Sequence, residues 1–172
     1  DSTGRSYAIA AHTMPSARGQ GEPITGKLNP PSGATIEGML MGDEKQQVLL
    51  ASDAGYGFVA NLADMYTKNR SGKALLTLPK GGRVIQPQLI NAIDSSWLAA
   101  ISNEGRLLVF PITELPQLAR GKGNKIINIP AARVLSREEF VIALVVLDQS
   151  QCLKVNSGKR HLTLKFKDLE HY

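Results

Sequence analysis

The sequence is poor in the residues that usually announce chemistry. It holds one cysteine, Cys152, in 172 residues. No internal disulfide can form and no zinc ribbon or knuckle can be assembled, so a reducing cytoplasm is the expected compartment. A lone free cysteine of this kind is expected to be a buried strand residue. Aromatic residues make up 5% and do not interleave with the bases, which argues against a stacking reader of single strands or RNA. The longest uninterrupted apolar run, Phe140 to Leu147, falls far short of the roughly 20 residues that cross a bilayer. The opening D-S-T-G-R lacks the basic and apolar segments of an export signal, and no membrane partner is expected.

Catalytic constellations are equally scarce. His12, His161 and His171 have neither metal-ligand spacing nor an obvious carboxylate partner, and surface or strand positions suit them better. Apart from the neighbours Asp43-Glu44 and Glu138-Glu139 the acids are scattered singly, and the spacing gives no support for a carboxylate pair of the two-metal or glycosidase kind. Ser71-Gly72-Lys73 and Gly121-Lys122-Gly123 have a superficial likeness to a phosphate-binding loop. The full pattern is absent, because Ala74 and Asn124 stand where no hydroxyl can ligate magnesium. Of the tyrosines at 7, 56, 66 and 172, Tyr7 and Tyr56 occupy equivalent strands and read as packing residues, as does Trp97. Helical periodicity is weak: Leu62 to Arg70 and Thr113 to Ala119 allow a turn or two, and Pro116 breaks the second. Ser136-Arg137-Glu138-Glu139 has capping-box form, but the β-branched run after it prefers a strand.

What the chain does have is repetition. Glycines at 4, 55, 105 and 158, spaced by 51, 50 and 53, close polar turns. Each is followed by an apolar strand: Arg5 to Ile9, Tyr56 to Ala60, Arg106 to Phe110 and Lys159 to Leu164. Matching strands precede three of them, at Val48 to Ala51, Trp97 to Ile101 and Cys152 to Val155, which predicts a β-hairpin opening each repeat. A second series follows, in which loops of glycine and base, with glycines at 21, 72 and 123, lead into Ile24 to Leu28, Ala74 to Leu78 and Lys125 to Ile129. Fourth strands are expected at Thr35 to Leu40, Arg83 to Ile90 and Ala143 to Leu147. Four strands in about 50 residues is the size of one blade in a propeller-like array. The expected layout is one all-β domain over 1–172 with approximate repeats 1–47, 48–96, 97–150 and 151–172, the last incomplete, forming a partial ring. A hydrophobic content of 42% against 20% charged residues suits such a globular domain.

The bases are the positive finding, in a chain of net charge +5. From Met65 to Ile93 there are five, Lys68, Arg70, Lys73, Lys80 and Arg83, and no acid. From Leu115 to Arg137 there are again five, Arg120, Lys122, Lys125, Arg133 and Arg137, and no acid. If repeats stack about an axis, equivalent loops share one rim and the clusters form a band suited to a duplex backbone. By repeat equivalence the phosphate-contact candidates are Arg5, Arg18, Lys27, Lys68, Arg70, Lys73, Arg120, Lys122, Lys125, Lys159 and Arg160. Recognition by charge and bendability, without base reading, fits these residues best.

The stretches Gly4 to Ile9 with Ser16 to Gly21, Leu49 to Phe58, Gly72 to Pro79, and above all L-P-Q-L-A-R-G-K-G-N-K-I-I-N-I-P from Leu115 to Pro130, resemble the C-terminal domain of the A subunit of bacterial type IIA topoisomerases. The topoisomerase IV branch is nearer than gyrase. The resemblance implies a β-pinwheel whose blades exchange strands, a DNA-bending basic rim and no catalytic residue in this stretch. It further implies that double-stranded DNA is the ligand and that the partners, through the rest of a parent chain, are the B subunit and a second copy of the A subunit. ATP and Mg2+ would serve that complex elsewhere, in the bacterial cytoplasm. The gyrase box Q-R-R-G-G-K-G is reduced here to Arg120-Gly121-Lys122-Gly123, preceded by Leu118-Ala119. That favours presenting a duplex for decatenation and relaxation over gyrase-like wrapping. The alternative is a propeller-type protein interaction module without DNA binding.

Overall fold

The computed structural model describes residues 1–169; His171 and Tyr172 lie outside the described residues. From the N-terminus the strands are β1 (Arg5–Ser6), β2 (Gln47–Ser52), β3 (Tyr56–Asn61), β4 (Lys73–Ala74), β5 (Val84–Ile90) and β6 (Ser96–Ser102). They continue with β7 (Leu107–Pro111), β8 (Asn124–Lys125), β9 (Val141–Asp148), β10 (Cys152–Ser157) and β11 (Arg160–Lys165). Among the described residues helix is confined to single turns, α1 (Leu62–Met65), α2 (Ala131–Leu135) and α3 (Phe166–Leu169), with short 3-10 segments such as Ile24–Gly26 and Ile112–Glu114.

The expected hairpins form around Gly55, Gly105 and Gly158: β2 with β3, β6 with β7, and β10 with β11. The sheets are ordered β5-β2-β3-β8, β7-β6-β9, β1-β4 and β10-β11. Strand exchange is visible in that order. β8 belongs by sequence to the third repeat yet finishes the sheet of the second, and β4 crosses from the second repeat to pair with β1. The two exchanges share one register. Arg5 faces Ala74 and Ser6 faces Lys73, while Tyr56 faces Lys125 and Gly57 faces Asn124. Both members of each pair are thus displaced by the same single repeat period. This is the β-pinwheel architecture.

The exchanged strands are shorter than the sequence suggests. Two successive amides, Ile126 and Ile127, both donate to the Gly55 carbonyl at 2.7 and 3.4 Å, and Leu75 and Leu76 do the same to Gly4. Doubling two donors on one acceptor swings the chain out of the ladder, so only Lys73–Ala74 and Asn124–Lys125 remain as strand. Gly55 permits this approach: its φ is +82°, and an added Cβ would stand 2.5 Å from the Ile127 carbonyl oxygen.

Burial follows the two-residue period of a strand. Leu49 and Ala51 of β2 enter one core cluster with Leu98 and Ala100 of β6, Ile126, Ile127 and Leu144. Val48 and Leu50 point the other way, into a second cluster with Phe58, Ala60, Leu75 and Leu76. β6 is likewise shared, because Ala99 joins a third cluster with Val109, Leu147, Leu164 and Leu169. Sheets covered on both faces explain the unbroken apolar runs V-L-L-A and W-L-A-A, since neither face can be polar. Between the second and third blades Gln88 acts as a substitute peptide unit: its Nε2 donates to the Leu144 carbonyl at 2.6 Å, and its Oε1 accepts from the Val146 amide at 3.2 Å.

Several expectations are corrected. Thr35 to Leu40 forms no strand. Its equivalents β5 and β9 pair with the first strand of their hairpins, whereas Thr35 exchanges hydrogen bonds only with Ser2, its carbonyl accepting from the Ser2 amide at 2.7 Å and its amide donating to Ser2 Oγ at 3.0 Å. Ile24 to Leu28 contains a 3-10 turn at Ile24–Gly26 instead of a strand. Cys152 is on a strand but exposed, because it shares an uncovered face with Lys165 while Leu153 and Leu164 take the packed one. Trp97 is half-buried at the edge of the third cluster, where it meets Phe166 edge-on at 5.1 Å between centroids. The capping-box sequence Ser136 to Glu139 starts no helix. α2 ends just before it, and Arg137 takes a left-handed φ of 61°.

Candidate nucleic-acid interface

The second glycine-and-base loop is built on β1 and the turn at Gly4. Gly72 closes a turn by donating to the Asn69 carbonyl, and Arg5 reaches across to donate Nη1 to the carbonyls of Ser71 and Gly72, each at 3.3 Å. Arg70 is occupied by the first repeat, its Nε and Nη2 donating to the carbonyls of Lys27 at 2.9 Å and Gly26 at 2.7 Å. Lys27 Nζ donates to the Thr13 carbonyl at 2.8 Å and lies 3.4 Å from Glu22, and Lys73 Nζ donates to the Asp64 carbonyl at 2.7 Å. Four of the expected phosphate-contact residues, Arg5, Lys27, Arg70 and Lys73, therefore also tie loops together through backbone carbonyls. Lys68 is exposed and makes no such contact among the described residues. Lys27, Lys68 and Arg70 line one open cavity of about 360 Å³ together with Ala8 to Ala10, Thr13 and Leu28.

The third loop is docked through its backbone, which leaves its side chains outside. The Gly121 amide donates to the Leu75 carbonyl and the Gly121 carbonyl accepts from Thr77, both at 2.8 Å, so this loop is joined to the strand leaving the second. Gly123 rests directly on Gly57. Arg120 is exposed with no hydrogen-bond or ion-pair partner among the described residues. Lys122 Nζ lies 4.3 Å from the centre of the Tyr56 ring, and Lys125 Nζ donates to Asn128 Oδ1 at 2.7 Å. None of the three meets an acid among the described residues. In the second loop Arg70 and Lys73 bond backbone carbonyls; in the third the cations are exposed and, among the described residues, bond none.

Arg18 sits in the exposed stretch between Met14 and Gln20, and Lys159 and Arg160 are exposed at the tip of the β10–β11 hairpin. The structure thus brings Lys27, Lys68 and Arg70 together and links them by backbone bonds to the loop of Arg120 and Lys122. Arg18, Lys159 and Arg160 are separate from this group in the bonding pattern.

Two bases counted in the Leu115 to Arg137 cluster do something else. Glu139 is 1% exposed and takes Arg106 Nε at 2.6 Å and Arg133 Nη1 at 2.7 Å. Asp53, also buried, accepts from the Arg83 amide and from Arg137 Nη1, both at 2.7 Å. Arg137 further stacks on Phe140 at 3.9 Å. The Asp53–Arg137 pair ties the third repeat to the second, while Glu139 with Arg106 and Arg133 braces the third within itself. Sequence reasoning missed them because Glu139 lies far along the chain from Arg106, and Asp53 farther still from Arg137. The only signal was an acid in the turn S-D-A-G and another at the start of an apolar run. Burial pushes the Tyr7 phenol up, with Arg5 pulling against it, and the hydroxyl donates to Asp1. No group of three metal-ligating side chains comes together among the described residues, and no helix is long and apolar enough to cross a membrane.

The family model for the DNA gyrase C-terminal domain, a β-propeller, matches residues 46–91 and 96–148, the two repeats that carry the interlocked loops. The chain belongs to this family. The relatives it matches include A subunits of DNA topoisomerase 4. It is 54% identical over its whole length to the DNA topoisomerase 4 A subunit of Pseudomonas aeruginosa, and 52% identical over 99% of its length to that of Escherichia coli K12. It spans 23% and 22% of those two proteins, so about a quarter of the length of the curated relatives it matches. The solved E. coli ParC C-terminal domain superposes with a TM-score of 0.93 at 52% identity, covering 99% of this chain and 69% of that one. A second solved C-terminal domain of DNA topoisomerase IV, at 18% identity and a TM-score of 0.59 over 77% of this chain and 44% of that one, shares the fold.

Proposed function

We propose that this chain is the duplex-binding wing of the A subunit of topoisomerase IV, a bacterial cytoplasmic type IIA enzyme, which bends or presents a DNA segment for strand passage in decatenation and supercoil relaxation. The observation that carries the reading is the third loop: Arg120, Lys122 and Lys125 are held by a backbone-docked turn, face solvent and meet no acid among the described residues. Such groups neutralise phosphates and release counterions, and glycine on either side of Lys122 lets a backbone approach closely. Lys68 and the cavity it shares with Lys27 and Arg70 extend the same rim, and Arg5, Arg18, Lys73, Lys159 and Arg160 complete the proposed contacts. The parent complex would contribute the B subunit, a second A subunit, ATP and Mg2+, and the transesterification chemistry, while this part contributes grip and direction.

The test is a salt titration of duplex binding by wild type and the R120A/K122A/K125A variant. If about six phosphates are neutralised, the log-log slope is near −5, and the variant lowers its magnitude by about 2–3 while melting as wild type does. A slope near zero, or a variant that binds unchanged, would instead favour a propeller-type protein interaction module.

A further inference from the structure

The residue that follows each turn glycine recurs as Arg5, Tyr56, Arg106 and Lys159. Three of the four are cations and one is an aromatic ring. At Arg5 and Tyr56 the following repeat's basic loop lies directly on that residue, and the shift by one repeat period makes the two contacts comparable atom group by atom group. Arg5 sits under Ser71 and donates to its carbonyl. Tyr56 sits under Lys122, the residue equivalent to Ser71, and its ring faces the ammonium at 4.3 Å. An arginine is thus paired with an uncharged serine, and the ring is paired with a lysine. An arginine at 56 would set two cations against each other.

We infer that Tyr56 is a positioning residue for DNA binding: its ring face holds the Lys122 ammonium at the rim, so that the third loop meets phosphate with its central cation already placed. The role of the contact in binding rests on the proposed DNA-binding function; the contact itself does not. The rest of the loop supports this division of labour. Its backbone is fixed by Gly121 bonding to Leu75 and Thr77 and by Gly123 lying on Gly57, so the one freedom left to Lys122 is its own four-carbon stem. The face of a tyrosine ring attracts an ammonium through its quadrupole, and restricting that stem before binding lowers the ordering cost of the complex. Phosphate approaching from solvent meets an ammonium whose opposite side is already satisfied by the ring.

The experiment uses Tyr56→Phe, which keeps the ring, and Tyr56→Leu, which keeps apolar bulk toward the core and removes the π face. A direct readout is the chemical shift of the Lys122 ε-methylene protons, which a ring held above or below them moves upfield. Wild type and Tyr56→Phe are expected to show that displacement and Tyr56→Leu to lose it. In duplex binding, Tyr56→Leu is expected to weaken affinity about two- to fivefold, the range of a cation–π contact at an exposed site, and Tyr56→Phe to restore it. Lys122→Met and the Tyr56→Leu/Lys122→Met double variant are expected to bind equally. An undisplaced methylene signal in wild type overturns the inference, as does a Tyr56→Leu penalty that persists undiminished in the Lys122→Met background. If R120A/K122A/K125A binds DNA as wild type does, the DNA-binding reading fails instead, and the methylene shift still decides whether Tyr56 holds Lys122.

Discussion

Gly123 lies against Gly57 so closely that a Cβ added to it would stand 2.0 Å from the Gly57 carbonyl oxygen. Its φ is +77°, so alanine there meets both a backbone clash and a left-handed conformation. Gly123→Ala is expected to cost about 2–5 kcal/mol and to lower the melting temperature by more than about 5 °C. Gly21→Ala is the control, because its φ of +79° is matched by open space and only the backbone cost, about 1–2 kcal/mol, applies. Thermal unfolding followed by circular dichroism separates the two, and equal shifts would mean that the close approach to Gly57 carries no energy.

Glu139 is the charge on which two arginines converge. Breaking a buried pair by removing one partner costs about 3–5 kcal/mol, and the half-exposed arginines reduce that here. Glu139→Gln is expected to lose about 2–4 kcal/mol in urea unfolding. Arg106→Ala alone is expected to lose less, since Arg133 still neutralises the carboxylate.

Arg137 combines a favourable ion pair with an unfavourable backbone. Arg137→Ala loses the bond to Asp53 and keeps the φ of 61°, whereas Arg137→Gly loses the bond and relaxes the strain. Glycine is therefore expected to be the milder substitution by about 1 kcal/mol, the reverse of the usual order. A chemical-denaturation series of the two variants checks the sign.

Lys73 and Lys122 stand on opposite sides of the equivalent loop glycines, Gly72 and Gly123, and are expected to fail differently. Lys73→Met removes a hydrogen bond to the Asp64 carbonyl and is expected to lower stability by about 1 kcal/mol. Lys122→Met touches no carbonyl. Its melt is expected to stay within about 1 kcal/mol of wild type, while the salt slope of duplex binding falls in magnitude by about 1.

The periodicity of turn glycines and apolar runs carried most of the architecture, because a hairpin is local and its signals lie close together in the chain. The shared register of Tyr56 with Lys125 and Arg5 with Ala74 was already latent in the even glycine spacing. What could not be read was the allocation of charge. Arg70 and Arg120 look alike as letters, yet one is spent on the carbonyls of Gly26 and Lys27 and the other faces water, a difference decided by contacts that reach back into the preceding repeat. Arg133 and Arg137 looked like surface cations for the same reason, and the acids that claim them, Glu139 at the head of an apolar run and Asp53 in a polar turn, carried no signal that named their partners. Cys152 misled because residue type predicts average burial, whereas the uncovered face of the β10–β11 hairpin decides the individual case.

The exchange of β8 into the sheet of the second repeat also bears on how the molecule is made and unmade. Gly57 must wait for Asn124, its partner from the next repeat, so a blade leaving the ribosome stays one strand short until much of its successor has followed. Loss of one blade correspondingly frees an edge of the blade before it. Neighbouring repeats should then melt as overlapping tiles, with each unfolding unit wider than the sequence period that defines it.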